Sequence, residues 1–416
     1  MGKPTVISLF TGAGGLDYGF EAAGFRTAVA LDLDHDSCET IRHNRDWPVI
    51  ESDLLEVPVE KILETAKLAK EEADIVIGGP PCQPFSKSGY WSRGESQRLK
   101  DPRAATLDGY LKVIEGTLPK VFLIENVHGI AYSSKSGGLE LLLREIAAIN
   151  RRTGSNYRPS CAVLNAAWYG VPQLRERFFM VAARDGSQFR FPAASHRAAS
   201  TEEEDLIALP SYRTAWDALA DVIPSPDEDL AMKGKWADLL PSIPEGWNYI
   251  WHTDHGKGLR LFGWRPRYWT FLLKLSKTLP SWTIQAQPGP SVGPFHWENR
   301  RLSMREICRL QTFPDDVVIK GARGEVQRQV GNAVPSLLAE VLAREIKAQL
   351  LGYRRTTSAP KLLPLDRSPA PPPERVKSVP AKYRELVADH KAHPGTGKGP
   401  GARSQEASVS EQPALL

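Results

Sequence analysis

A chain of 416 residues, 41% hydrophobic and 25% charged, has the composition of a soluble globular protein and enough length for two or three domains. No apolar run approaches the roughly 18 residues that span a bilayer, and the N-terminus enters a strand-like segment at once, so neither a membrane protein nor a signal peptide is expected. Four scattered cysteines exclude a disulfide framework and predict a reducing, cytoplasmic setting, while the net charge of +4 is matched by a tail holding ten Lys/Arg against six Asp/Glu from Arg355 onward.

Residues 5–54 predict strand, tight turn, helix, strand, helix and a short third strand. Phe10-Thr11-Gly12-Ala13-Gly14-Gly15 is a glycine-rich turn between the strand Val6–Phe10 and a helix over Leu16–Ala23. A second strand, Ala28–Asp32, ends in an acid, as in nucleotide sites where that acid accepts from a ribose hydroxyl. The turn lacks Gly-x-Gly-x-x-Gly spacing and no Walker lysine follows, so a phosphate-free adenosine ligand fits better than NAD or ATP. Asp53, just before Leu54, is a further acid at the same rim, and reads also as a helix N-cap.

A helix over Glu60–Glu72 leads into Ile75-Val76-Ile77, a buried parallel strand ended by Gly78-Gly79 and stiffened by Pro80-Pro81. Cys82 follows, just past the strand's C-terminal end, where ligand crevices form in open α/β sheets. A lone cysteine there is commonly a small buried hydrophobe. Its neighbours, glycines, prolines and serines, make poor core but a good mount for a nucleophile that a flat substrate approaches closely. Lys87–Arg103 has no hydrophobic period and reads as a functional loop. After a helix over Thr106–Thr117, the strand Lys120–Val127 finishes on Glu125-Asn126, an unusual end for a buried strand and a second candidate site. Leu139–Ile149 reads as helix, Tyr157–Asn165 and Arg177–Ala183 as strands. Arg175 and Arg177, two residues apart, point one way and offer paired cationic forks to a phosphate or base edge, or else a solvated edge strand.

Regular alternation stops at Phe191. Thr214–Asp221 predicts a helix, followed by a Pro- and acid-rich link over Ile223–Asp229. Six of the eleven tryptophans lie between Trp247 and Trp297, interleaved with Lys257, Arg260, Arg265, Arg267, Lys274 and Lys277. This mixture suits nucleic-acid phosphates and bases, or forms a small core with a solvated basic face. His252 and His255 have no acid or cysteine partner nearby, and no metal site is read. Ser303 and Glu306 make a capping box for a helix over Ser303–Gln311. Gly331-Asn332 precedes the last helix, Ser336–Leu350, where Asn332 serves a site or only a cap. Beyond Tyr353, ten prolines and no apolar period predict a disordered tail, with Tyr383–Ala388 a transient helix.

In chain order, Phe10–Gly15, Pro80-Pro81-Cys82-Gln83, Glu125-Asn126-Val127, Gln173-Leu174-Arg175-Glu176-Arg177, Arg305-Glu306 through Phe313-Pro314, and Gly331-Asn332 closely resemble the motifs of the DNA (cytosine-5) methyltransferase family of bacterial restriction–modification systems. The resemblance covers residues 5 to about 350. It implies an α/β protein with a Rossmann-like, S-adenosylmethionine-dependent methyltransferase fold, a doubly wound and mostly parallel sheet. Residues 1–190 form this large domain, completed by 325–352. Residues 191–324 form a smaller target-recognition domain, and 353–416 a Pro-rich tail. It further implies a cytoplasmic monomer that needs no metal and acts on double-stranded DNA, with a cognate restriction endonuclease working separately on the same site.

On the same resemblance, S-adenosylmethionine is held by Phe10, Gly12, Gly14, Gly15, Asp32 at the ribose, Leu33, Asp53 at the adenine edge, Leu54, Pro80 and Asn332. Cys82 is the nucleophile and Glu125 the proton donor to N3 of cytosine. Arg177 holds the cytosine carbonyl, and Arg175 holds Glu125 or a backbone phosphate. Asn126 shapes the turn, Gln83 contacts the substrate, and Ser86 and Ser88 stand at the start of the Lys87–Arg103 loop that closes over the base. Arg260, Arg265 and Arg267 contact DNA. Where many relatives carry an aromatic that stacks on adenine, this chain has Leu33, so stacking is weaker.

The chemistry stands beside the resemblance. Carbon 5 of cytosine is too poor a nucleophile until a thiolate adds at carbon 6. Such a thiol must be partly ionised, against a reference pKa of about 8.5. Negative charge entering the ring favours a protonated carboxyl at N3. Neither group reaches a stacked base, so the base is flipped out. A tRNA cytosine-5 methyltransferase is the nearest alternative, but its Cys-Phe-Thr is absent. A catalytically inactive DNA-binding relative is another, yet Cys82, Glu125, Arg175, Arg177 and Asn332 are all in place.

Overall fold

The structure, a computed structural model, describes residues 2–81, 104–127, 129, 138–198, 209–266 and 268–390. Cys82, Gln83, Ser86, Ser88 and Arg267 lie outside the described residues. Seven strands form one sheet: β1 (Thr5–Leu9), β2 (Arg26–Asp32), β3 (Val49–Glu51), β4 (Ile75–Gly78), β5 (Val121–Val127), β6 (Ser160–Asn165) and β8 (Glu176–Ala183). Their order is β3-β2-β1-β4-β5-β8-β6, and only β8 runs antiparallel to its neighbours. A two-residue strand β7 (Gln173–Leu174) leaves this sheet and pairs instead with β9 (Ser281–Trp282).

Alternation along the strands builds two cores. In β4, Val76 packs into the cluster shared with α3 (Val59–Ala66), α4 (Ala104–Thr117) and α5 (Gly138–Thr153). Ile75 and Ile77 face the other side, with α1 (Gly15–Ala22) and α9 (Ser336–Leu350). The mostly parallel, doubly wound sheet expected from sequence is thus present. The helix expected over Glu60–Glu72 stops at Ala66, because Lys67 turns left-handed at φ 55°. The last helix returns to the sheet against α1, and Gly19 permits the contact: a Cβ there would stand 2.4 Å from the Ser336 carbonyl oxygen.

Between these faces and residues 209–302 lies a third cluster, in which Tyr18 meets Leu275, Trp297, Leu310 and Phe313. It takes in α6 (Ala215–Leu219), α7 (Met304–Leu310) and α8 (Arg323–Asn332). The capping box of Ser303 and Glu306 is formed as its sequence predicts, with the Ser303 hydroxyl accepting from the Glu306 N–H at 3.1 Å.

The tryptophans and lysines of the 247–297 stretch divide between interior and surface. Trp236, Trp247 and Trp251 pack on a fourth cluster with Leu240, Ile243, Leu272 and Phe295. Lys274 and Lys277 are buried, the latter paired with Glu245 at 2.8 Å. His252 uses both ring nitrogens, with Ser242 Oγ and the Leu259 carbonyl. Much of the aromatic content is therefore core, and Arg260 and Arg265 remain on the surface.

Residues 353–390 differ from the disordered tail that their composition predicts. Lys361 and Leu362 donate backbone N–H groups to the buried Glu340 carboxylate. Arg367 reaches Asp217 and Asp221, and Glu374 pairs with Lys277. Val379 and Tyr383 then enter the fourth cluster, where α10 (Ala381–Arg384) lays Tyr383 on Trp236 with centroids 5.6 Å apart. The anchors carry no period because the surface they cover is irregular. Tyr383→Ala is expected to cost about 3–5 kcal/mol, the usual range for an aromatic removed from a core, read as a shifted urea midpoint. An unchanged midpoint would return this segment to a solvated tail.

Candidate active site

The sheet's strand order reverses between β1 and β4, and the crevice at such a switch point is where α/β sheets take ligands. A cavity of about 680 Å³ opens there. Its walls include Phe10, Gly12 and Gly15 from the turn after β1, Asp32 and Leu33 after β2, Asp53 and Leu54 after β3, Pro80 after β4, and Asn332 at the end of α8. Gly14, expected with them, is instead the N-cap of α1 and is not among the lining residues. Glu125, Asn126 and Arg177 border the same cavity.

The end of the cavity beside β2 is built from backbone. The Asp32 carboxylate accepts from the N–H of Gly12 at 2.7 Å and of Asp34 at 2.9 Å. Burial raises its pKa, and those two N–H groups offset part of the rise. Gly12 therefore spends its N–H on Asp32 and Gly14 donates to Thr11 O, so neither N–H is free to cradle a phosphate. Phe10 is held in a left-handed conformation, φ 53°, a strain concentrated at this wall. Asp53 satisfies both of its readings: Oδ1 caps a short 3-10 turn through the Leu55 N–H, and the residue lines the cavity. Leu33 is 66% exposed.

At the opposite end, Glu125 sits late on β5 with its carboxylate 2.9 Å from Arg177 Nε on the neighbouring β8. Burial drives the Glu125 pKa upward, and the positive charges of Arg177 and Arg175 hold back part of that rise. A carboxyl so placed can carry a proton at higher pH than a solvated one. Asn126 spends its amide on the backbone, donating to Pro80 O at 3.1 Å and accepting from Val127 N at 2.9 Å, and so ties the β4 exit to the β5 exit. Thr106 similarly donates to Pro81 O at 3.2 Å. The chain immediately before Cys82 is thus held from two sides.

Gly79 makes the carboxyl's place possible, since a Cβ there would stand 2.8 Å from Glu125 Oε2. Gly79→Ala is expected to displace Glu125 and lower kcat at least about tenfold, with little change in melting temperature. Normal turnover in that variant would show that the carboxyl position is not critical.

Arg175 and Arg177 do not form one cationic face. The chain switches sheets between β7 and β8, and Arg175 falls at the switch, 1% exposed. Its guanidinium donates to Ile284 O at 3.3 Å and Gly331 O at 2.8 Å, joining the β8 entrance to the β9 exit and the end of α8. It acts on Glu125 through charge, without a hydrogen bond to it. Among lining residues, Asp34 and Arg328 were missed from sequence; their ion pair at 2.7 Å joins segments 294 residues apart, and no local pattern announces it.

A doubly wound, mostly parallel seven-stranded sheet with a cavity at its switch point and a buried acid–guanidinium pair beside it has the form of a Rossmann-like methyltransferase core. The chain belongs to the C-5 cytosine-specific DNA methylase family, whose profile matches residues 4–348. It is a DNA (cytosine-5-)-methyltransferase. The Type II methyltransferase M.SacI of Streptomyces achromogenes is 40% identical over 84% of this chain and 93% of its own length. M.AquIA of Picosynechococcus is 42% identical over 55% of this chain and 93% of its own. Among solved structures, a putative DNA modification methyltransferase from an E. coli prophage shares the fold with a TM-score of 0.56 at 22% identity, covering 84% of this chain and all of that one.

Proposed function

We propose that this enzyme methylates one cytosine in a short DNA sequence as the modification half of a restriction–modification system. The observation that carries the reading is the buried Glu125–Arg177 pair on the rim of the switch-point cavity. S-adenosylmethionine, when bound, supplies the methyl group that ends on carbon 5. Phe10, Asp32, Asp53, Leu54 and Asn332 hold it, with Leu33 as an open apolar wall.

Arg177 orients a flipped-out cytosine through its carbonyl. The Cys82 thiolate adds to carbon 6 while Glu125 gives a proton to N3, so no charge is stranded on the ring. Carbon 5 thereby becomes nucleophilic. A base then takes the carbon-5 proton, the C–H electrons re-form the carbon 5–carbon 6 double bond, Cys82 leaves as thiolate, and the N3 proton returns to the Glu125 carboxylate. Gln83, Ser86 and Ser88 contact the substrate.

Residues 191–324 serve as the target-recognition domain beside a catalytic domain of 1–190 and 325–352. Arg260, exposed with its guanidinium 3.4 Å from Asp389, and Arg265, lying over the Tyr268 ring, support a DNA-facing role. A separate endonuclease cuts the same site, and the methyltransferase works as a monomer in the cytoplasm. Bisulfite sequencing of plasmid DNA from cells expressing the chain tests this: conversion blocked at one cytosine of one short motif is expected. Full conversion, alongside good expression and cofactor binding, would overturn the DNA assignment and send the same assay to tRNA.

A further inference from the structure

The Asp32 carboxylate owes one of its two hydrogen bonds to the N–H of Asp34. Asp34 is itself clamped. Its Oδ2 accepts from the Ser37 N–H at 2.9 Å and hydroxyl at 2.6 Å, starting the helix α2 (His35–Asn44), and its Oδ1 accepts from Arg328 Nη2 at 2.7 Å. Arg328 is fixed in turn by Glu325, whose Oε2 lies 2.6 Å from Nε. The next residue of α8, Gln329, accepts from Thr40 Oγ1 at 2.8 Å, so the helix is keyed to α2 at two successive positions. Asp32, Asp34 and Arg328 all line the adenosine cavity, at the side where Leu33 leaves the wall open.

We infer that Arg328 is a positioning residue for the adenosyl group: through Asp34 it fixes the Asp32 carboxylate where the ribose hydroxyls bind. The inference rests on the S-adenosylmethionine reading. An ion pair this close to the surface contributes little to folding by itself. Its consequence lies in the turn that it holds. With Leu33 rather than an aromatic at the position after Asp32, a larger share of cofactor affinity falls on the ribose contacts, and these require a carboxylate that does not wander. Removing the guanidinium leaves Asp34 held on one oxygen alone, by Ser37, loosens the N–H that steadies Asp32, and blurs recognition of the ribose while leaving the methyl-transfer groups in place. A merely structural arginine would weaken every ligand alike.

Calorimetric titration of the full chain with S-adenosylhomocysteine and with its 2′-deoxyribose analogue separates these roles. Wild-type protein should lose about tenfold or more in affinity when the 2′-hydroxyl is removed, the size of a hydrogen bond to a charged group. Arg328→Ala should bind S-adenosylhomocysteine about tenfold more weakly and discriminate the two ligands hardly at all. Arg328→Lys, which keeps a cation for Asp34, should recover most of both, and it carries the same comparison if the alanine variant melts early. Equal weakening of both ligands, with discrimination intact, would overturn the inference while leaving the cofactor reading standing. Wild-type protein that bound neither ligand would overturn both.

Discussion

Cys82→Ala is expected to abolish methyl transfer, by about 10⁴-fold or more, while S-adenosylhomocysteine still binds within a few-fold of wild type. Two arguments converge on this cysteine. The residues before it are firmly placed at the site, since Pro80 and Pro81 line the cavity and their carbonyls are held by Asn126 and Thr106. The remaining cysteines are unsuited to nucleophilic attack. Burial pushes the Cys38 and Cys308 thiols up to about 12, which leaves almost no thiolate at neutral pH, and Cys161 stands on the edge strand β6, away from the cavity lining. Because the cofactor's walls include no part of that thiol's chemistry, binding and turnover should separate cleanly. Tritium transfer from methyl-labelled cofactor to plasmid DNA measures the second, calorimetry the first. Residual transfer in the alanine variant above background would mean that carbon 5 is activated without a covalent adduct.

The strand-end residues were legible in the sequence because burial and charge conflict there. A run such as Val121–Ile124 commits a segment to the sheet interior, so a carboxylate and an amide at its end demand a purpose. The same logic marks Asp32. What was not legible depends on partners far along the chain. The helix Arg323–Asn332 buries Val326 and Val330 beside the polar Gln329 and the glycine Gly331, opens after Ala322 without a side-chain cap, and therefore shows no broad apolar stripe or start signal. Arg328 was invisible for that reason. Residues 353–390 were misread because their few anchors, Leu362, Leu363, Val379 and Tyr383, sit among prolines with no helical or strand period. An extended strap needs only occasional anchors, and composition cannot tell it from a solvated tail. The tryptophans of 247–297 carried the opposite ambiguity: their composition fits stacking on bases, and several of them make the local core instead.

Glu125→Gln should lower kcat by about 10²–10⁴-fold with little change in the KM for DNA. Glutamine keeps the shape, the contact with Arg177 and a hydrogen bond to N3, and lacks only a proton to give. The pH profile makes the test specific. Burial raises the Glu125 pKa above the usual carboxylate range despite the nearby Arg177 and Arg175, so the protonated form extends to higher pH. Proton donation is available below that pKa and lost above it, and wild-type kcat should therefore fall as pH rises through it. Cys82 works the other way, gaining thiolate as pH rises, so the wild-type profile has two limbs. In Glu125→Gln the limb that falls at high pH should vanish while the thiol limb remains. A variant with nearly full kcat, or one whose falling limb persists unchanged, would place the N3 proton donor on another residue. Arg177→Ala supplies the converse: with its guanidinium gone, the Glu125 carboxyl loses its closest positive charge and its pKa should climb, carrying the falling limb to higher pH even as the cytosine is held less well.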